Sequence, residues 1–210
     1  MKRKRTTFVG ERPIFTGSPH IVEGGFNLDV ENQNYNVGDT IPAGTLAIYD
    51  EQTRLVKLLK TAKVKAIDAN DAKIVTLVKN DYCQPIFVVG DKVLATVSGT
   101  YADAPSITKI EETDTGYVIT LSAAITGLAV DNILVQVINS SDNAAIVGDA
   151  NALTVTDTEV KEDETGIDVT NDTMQYALLE RRVLPIPTSQ KDSTGMYLKG
   201  NVHIRLSQSY

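Results

Sequence analysis

The chain has 210 residues, an apolar fraction of 42% and a formal charge of −7, enough for one large or two small domains with a core. Aromatics make up only 6% and Trp is absent, so the core must rest on Val, Ile, Leu and Ala, with few rings left to stack sugars or single-stranded bases. Lys2, Arg3, Lys4 and Arg5 hold four of the twenty basic residues, and the acidic remainder argues against the broad basic face of a nucleic-acid binder.

Residues 1–34 read as an extended arm. Pro13 and Pro19 oppose a helix, and glycines separate short apolar pieces. A bare terminus is one reading. The large apolar residues Phe8, Val9, Ile14, Phe15, Ile21, Val22, Phe26 and Leu28 favour another, in which the arm lies on its own body or on a neighbouring subunit. Phe8, Ile14, Phe15, Ile21 and Phe26 are the candidate assembly contacts.

Strand signals strengthen from Val37. Pro42 suits the second position of a turn and Gly44 the fourth. "TLAIYD" (45–50) and "RLVKLL" (54–59) then form a hairpin across Glu51-Gln52-Thr53. The middle of the chain carries an internal pattern. Block one runs from Val64 through a polar turn to "KIVTLV" (73–78) and closes with "VGDKVLATV" (89–97). Block two runs from Ile107 through a polar turn to "YVITL" (117–121) and closes with "AVDNILVQV" (129–137). Matching Asp91 to Asp131, Val93 to Ile133, Leu94 to Leu134 and Val97 to Val137 gives a degenerate repeat of about forty residues. Two such units suffice for a small barrel without exposed edges. Alternation places Tyr117, Ile119 and Leu121 on one face. Further on, "LTVTDTEV" (153–160) reads as a strand. "MQYALLERRVL" reads as a short helix capped by Asn171 or Asp172, or as a strand ending at Leu184. "VHIRL" (202–206) is a last strand with Val202, Ile204 and Leu206 on one side. The expected fold is therefore mostly β. A discontinuous β base domain (35–63 plus 144–206) carries an inserted small β-barrel (64–138) and the N-terminal arm.

No reactive constellation emerges. One cysteine, Cys83, excludes an intrachain disulfide. With His20 and His203 it is too sparse for a zinc site, and a packing role for it outweighs a Cys–His pair. There is no G-x-S-x-G elbow and no P-loop. Glu111, Glu112 and Asp114 suit a solvated turn. Glu162-Asp163-Glu164 lacks the EF-hand pattern, and Asp68, Asn70 and Asp71 suit an Asx turn. The expectation is no catalytic residue, no metal and no cofactor. The start "MKRKRTTFVGERP" lacks a signal-peptide apolar run, and no stretch reaches membrane-span length, so synthesis in the cytoplasm and no membrane partner are expected. The basic head reads as a solvated terminus, an electrostatic contact or a nucleic-acid arm.

"IPAGTLAIYDEQTRLVKLLKTAKV" (41–64) resembles a segment of tailed-bacteriophage capsid decoration and head-fibre proteins, in which a Pro-Ala-Gly-Thr turn opens a strand pair. "VGDKV" (89–93) within the repeat looks like the small β-subdomain found in such proteins. "NALTVTDTEV" (151–160) and "ALLERRVLPIP" (177–187) are similar to their closing portion. The resemblance spans about residues 35–206. It implies a non-enzymatic virion protein that decorates the capsid surface, contacts the major capsid protein and assembles as a homotrimer. The alternative is a β-module binding a cell-surface glycan or protein, for which Tyr82, Tyr101 and Tyr117 would cluster. A divergent enzyme using paired carboxylates is a third class, and a deep pocket holding two carboxylates would support it.

Overall fold

A computed structural model describes residues 13–17, 19–22, 25–113, 116–170 and 177–209. The described chain is almost entirely β. Its strands are β1 (Phe26–Leu28), β2 (Thr40–Ile41), β3 (Leu46–Asp50), β4 (Leu55–Leu58), β5 (Thr61–Ile67), β6 (Ile74–Leu77), β7 (Lys92–Leu94) and β8 (Ile107–Glu112). There follow β9 (Tyr117–Leu121), β10 (Ile133–Ser140), β11 (Asn143–Ala145), β12 (Ala152–Leu153), β13 (Thr158–Glu159), β14 (Gly166–Ile167), β15 (Ala177–Leu179) and β16 (Arg205–Ser207).

The expected hairpin is β3–β4, with Ala47 opposite Leu58 and Asp50 opposite Leu55. It lies inside a five-stranded sheet ordered β12-β3-β4-β1-β14. That sheet curls back on itself. Beyond β12 and β14, Thr154 bridges Val169, and Val155 N–H donates to Asp168 O at 3.0 Å. Phe26, Leu28, Ile41, Val56, Leu58, Ile167 and Val169 fill its interior. β1 pairs in parallel with β4, so residues 26–28, expected in the arm, are an integral strand of this sheet.

The turn before β3 differs from expectation by one position. Thr45 N–H donates to Pro42 O at 3.3 Å, so Pro42 is the first residue of the turn and Gly44 the third, where φ is +82°. A third residue with positive φ belongs to the type II geometry that favours glycine. The chain's far end holds this turn. Thr154 Oγ1 donates to Pro42 O at 2.9 Å and accepts from Thr45 N–H at 3.0 Å. Ala43 N–H donates to Asp157 Oδ1 at 2.8 Å. These duties break the expected strand 153–160 into β12, which pairs with β3, and β13, which pairs with β2. The last strand does not join the hairpin. β16 pairs in parallel with β15, and Val202 stands in a turn, 63% exposed. The "ALLERRVL" segment is strand β15 followed by one 3₁₀ turn over Glu180–Arg182.

The second large sheet holds both halves of the repeat. β5–β6 and β8–β9 are antiparallel hairpins, β6 pairs with β9, and β10 pairs with β5 and β7. A Lys92–Ser106 bridge and the bond from Val93 N–H to Pro105 O at 3.0 Å link β7 to the residues entering β8. The pairing therefore runs unbroken around a six-stranded, barrel-like ring. Tyr117, Ile119 and Leu121 point into it together, each no more than 1% exposed.

The repeat is real in the backbone, but its closing strands align one residue later than sequence identity suggests. Asp91 caps its own turn by accepting Val88 N–H at 2.9 Å, and Asn132 does the same for Ala129 at 3.0 Å. Gly90 and Asp131 both take positive φ, +99° and +72°. Asp91 therefore corresponds to Asn132, Val93 to Leu134 and Leu94 to Val135. Matching aspartate to aspartate rewarded identity where the fold rewards the capping role.

A third cluster joins Ile14, Phe15, Leu178, Val183, Leu198 and Ile204 to Leu59 and Val135 at the root of the ring. Gly44 sits against it, and a Cβ there would lie 2.3 Å from Val183 Cγ1. Gly44→Ala is expected to lower stability by about 1–3 kcal/mol through overpacking, added to the cost of positive φ. Gly38→Ala has the same φ problem (+87°) but open space, and should lose only about 1 kcal/mol. Chemical denaturation of both variants checks the difference.

Candidate functional site

A lysine inside an apolar strand pair is costly to bury unless its charge is met. Lys60, between β4 and β5, has a side chain with no exposed surface, and so has Asp91. Lys60 Nζ donates to Asp91 Oδ2 at 2.9 Å and to Asn34 O, and sits 4.5 Å from the Tyr35 ring centroid. Asp91 Oδ1 accepts from Gln136 Nε2 at 2.8 Å. Gln136 Oε1 accepts from Gln33 Nε2 at 3.1 Å. Gln33 then clasps Leu58 through both backbone groups: Nε2 donates to its carbonyl at 2.7 Å and Oε1 accepts its N–H at 2.8 Å. The Tyr35 hydroxyl donates to the same Oε1 at 2.8 Å.

This network is the seam between the five-stranded sheet and the ring. Residues 33–35 come from the segment after β1, Leu58 and Lys60 from the crossing between the two sheets, Asp91 from a corner of the ring and Gln136 from β10. Burial pulls the Lys60 ammonium below its ordinary value, and the Asp91 carboxylate opposes that shift. Burial, reinforced by Asp91, pushes the Tyr35 phenol well above the usual tyrosine range. Chemically the cluster holds one compensated charge pair and a chain of amides. The ammonium is engaged by a carboxylate, a carbonyl and an aromatic face, which suits position-holding rather than attack on a substrate.

Two shallow depressions flank the seam. One, of about 280 Å³, is lined by Asn32, Lys57, Lys92, Tyr101 and Asn139 with Asp91 and Gln136 at its floor. The other, of about 240 Å³, is lined by Asn36, Asp39, Phe87, Ile110, Glu112 and Tyr117.

The sequence-derived candidates disperse. Phe8 lies outside the described residues. Ile14 and Phe15 are buried in the chain's own third cluster, where Phe15 bridges Leu178. Phe26 is 1% exposed, packed on Tyr49 at 4.9 Å under the Arg54 guanidinium at 4.2 Å. Ile21 is 44% exposed. Of the described four, then, three are spent on the chain's own cores and one faces outward. The three tyrosines of the glycan alternative separate: Tyr117 is buried with its hydroxyl on Phe87 O at 2.9 Å, Tyr101 carries Lys92 over its ring, and Tyr82 lies by Arg182. Cys83 Sγ points at Val183 O, 3.2 Å away. Asp68 forms the expected Asx turn, accepting from Asn70 and Asp71 N–H, and these bonds hold its carboxyl below the usual range. Among the described residues no group of three or more His, Cys, Asp or Glu side chains is placed to hold a metal ion, and no helix is long and apolar enough to cross a membrane. No protein-family model, curated protein or solved structure matches the chain.

Sequence reasoning missed Lys60, Asp91, Gln33 and Gln136 as a unit. Removing one charge leaves its partner buried and unpaired, so Lys60→Met or Asp91→Leu should each cost about 3–5 kcal/mol. The double variant should lose less than either single one, a coupling that a double-mutant cycle in denaturant measures. The Tyr35 shift has a definite sign. Its folded-state pKa lies above the unfolded value of 10.0, so its contribution is complete below pH 10 and is lost as the pH rises beyond it. The stability difference between the wild type and Tyr35→Phe should therefore narrow above pH 10 in pH-resolved melts.

Proposed function

We propose that the chain is a non-enzymatic structural protein of a tailed-phage virion. It decorates the outer surface of the capsid in the manner of a head fibre, as a homotrimer on the major capsid protein, after synthesis in the host cytoplasm. The observation that carries the structural role is the seam. The fully buried Lys60–Asp91 ion pair fixes one β-unit against another, and its donors and acceptors are met within the chain. A shell component present in many copies needs a stiff, acidic, unreactive body of this kind. The order of the Pro42–Thr45 turn, the repeated β-unit and the returning C-terminal segments, which resembles that of decoration and head-fibre proteins, supports the virion assignment. The glycan-binding alternative lacks the three-tyrosine cluster it calls for, because Tyr117 is buried.

Ile14, Phe15, Phe26 and Leu28 lie in the chain's own cores, so the informative truncation removes residues 1–12 alone. Purified protein is expected to co-sediment with expanded, empty capsids assembled from a cognate major capsid protein, and to run as a trimer by native mass measurement. Loss of binding on removing residues 1–12 would assign the contact to that segment, and unchanged binding would place it on the folded body. Failure of the intact chain to bind would refute the decoration role.

A further inference from the structure

We infer that the six-stranded ring is a fused dimer: two copies of one half-ring meeting across an isologous surface, so that the partner each half fits is a second copy of itself. This stands on backbone geometry and is independent of the proposed function. The first half is β5, β6 and β7; the second is β8, β9 and β10.

The hairpins coincide in detail. The β5–β6 register slips between Val64 and Ala66, and the β8–β9 register slips between Ile107 and Lys109. The same extra residue thus sits at the same place in both halves. Just beyond each slip, Val64 and Leu77 pair, as Ile107 and Leu121 do. Val78 N–H donates to Lys63 O at 2.8 Å, and Ser122 N–H donates to Ser106 O at 2.8 Å.

The crossings between halves are reciprocal. In the first corner, Gly90 N–H donates to Ile107 O and Ile107 N–H to Asp91 O, both at 2.8 Å. In the second, Asp131 N–H donates to Val64 O at 2.9 Å and Val64 N–H to Asn132 O at 2.8 Å. The closing strand of each half therefore bonds to the opening strand of the other. Neither β7 nor β10 pairs with the hairpin of its own half, so each half completes its sheet only through its partner.

An isologous contact must also carry a two-fold axis, on which a residue meets its own equivalent. Val75 pairs with Ile119, and these two are equivalents. Leu94 pairs with Val135, and these are equivalents too. Val89 and Val130 match in exposure, at 58% and 53%.

Exchanging buried side chains across that axis tests the inference in the full-length chain. The variant V64I/I107V/V75I/I119V/V93L/L134V moves each of six core side chains to its equivalent site. The control V75L/L134V exchanges two buried side chains between sites that are not equivalent. The six-fold exchange is expected to melt within about 3 °C of the wild type, and the control to lose about 5 °C or more. A six-fold variant that fails to fold, or that melts no higher than the control, overturns the inference.

Discussion

The buried pair of Lys60 and Asp91 sets the relation between the two β-units. Each charge alone would be expelled from such a site, so the ring and the five-stranded sheet can close only in the arrangement that brings the two side chains together. The contacts around the pair extend the constraint. Gln33 binds Leu58 through both of its backbone groups, as a neighbouring strand would, and so continues the edge that β1 begins beside β4. Gln136 N–H donates to Lys60 O at 3.0 Å, which carries the β5–β10 ladder into the seam. Register in both sheets is therefore tied to one ionic contact: a slip of a single residue in β5 would leave a charge unpaired in the core, and one in β10 would withdraw the Gln136 amide from Asp91.

A second constraint works at the opposite side of the hairpin. Short strands such as β2, β12 and β13 have little pairing energy of their own. Thr154 and Asp157 compensate by accepting and donating across the Pro42–Thr45 turn, which fixes the return of the C-terminal third beside β3. The result is a pair of curled sheets in which edges are largely paired. That arrangement limits the unsatisfied backbone groups that invite edge-to-edge aggregation.

What could be read from the sequence was local periodicity. The β3–β4 hairpin, the inward face of β9 and the order of strands in the repeat all follow from alternation and turn residues, which depend on near neighbours. The errors share a cause. Residue identity alone puts Gly44 one position late in its turn and the repeat one residue early at Asp131, because it carries no trace of the hydrogen bond that defines each position. The strand expected over 153–160 is interrupted because Thr154 and Asp157 serve a turn more than a hundred residues away. The seam was invisible for the same reason. Lys60 lies in "KLLKTAK", where nothing separates a solvated lysine from a buried one until Asp91 and Gln136 are brought beside it.

The internal two-fold explains why the halves differ where they do. Asp91 and Asn132 perform the same local task, capping a corner through one side-chain oxygen, and an amide is enough for it. A carboxylate is required only where a cation must be met, and Lys60 stands at the Asp91 corner alone; the position equivalent to Lys60 in the second half is Asp103, which is exposed and bonded to Thr100. The first corner is also the one covered by the five-stranded unit, with Val88 buried while its equivalent Ala129 is exposed. At this corner the copies differ where the first meets the rest of the chain. Of the two equivalent corners, one carries a carboxylate, and the segment entering β5 carries the lysine that meets it.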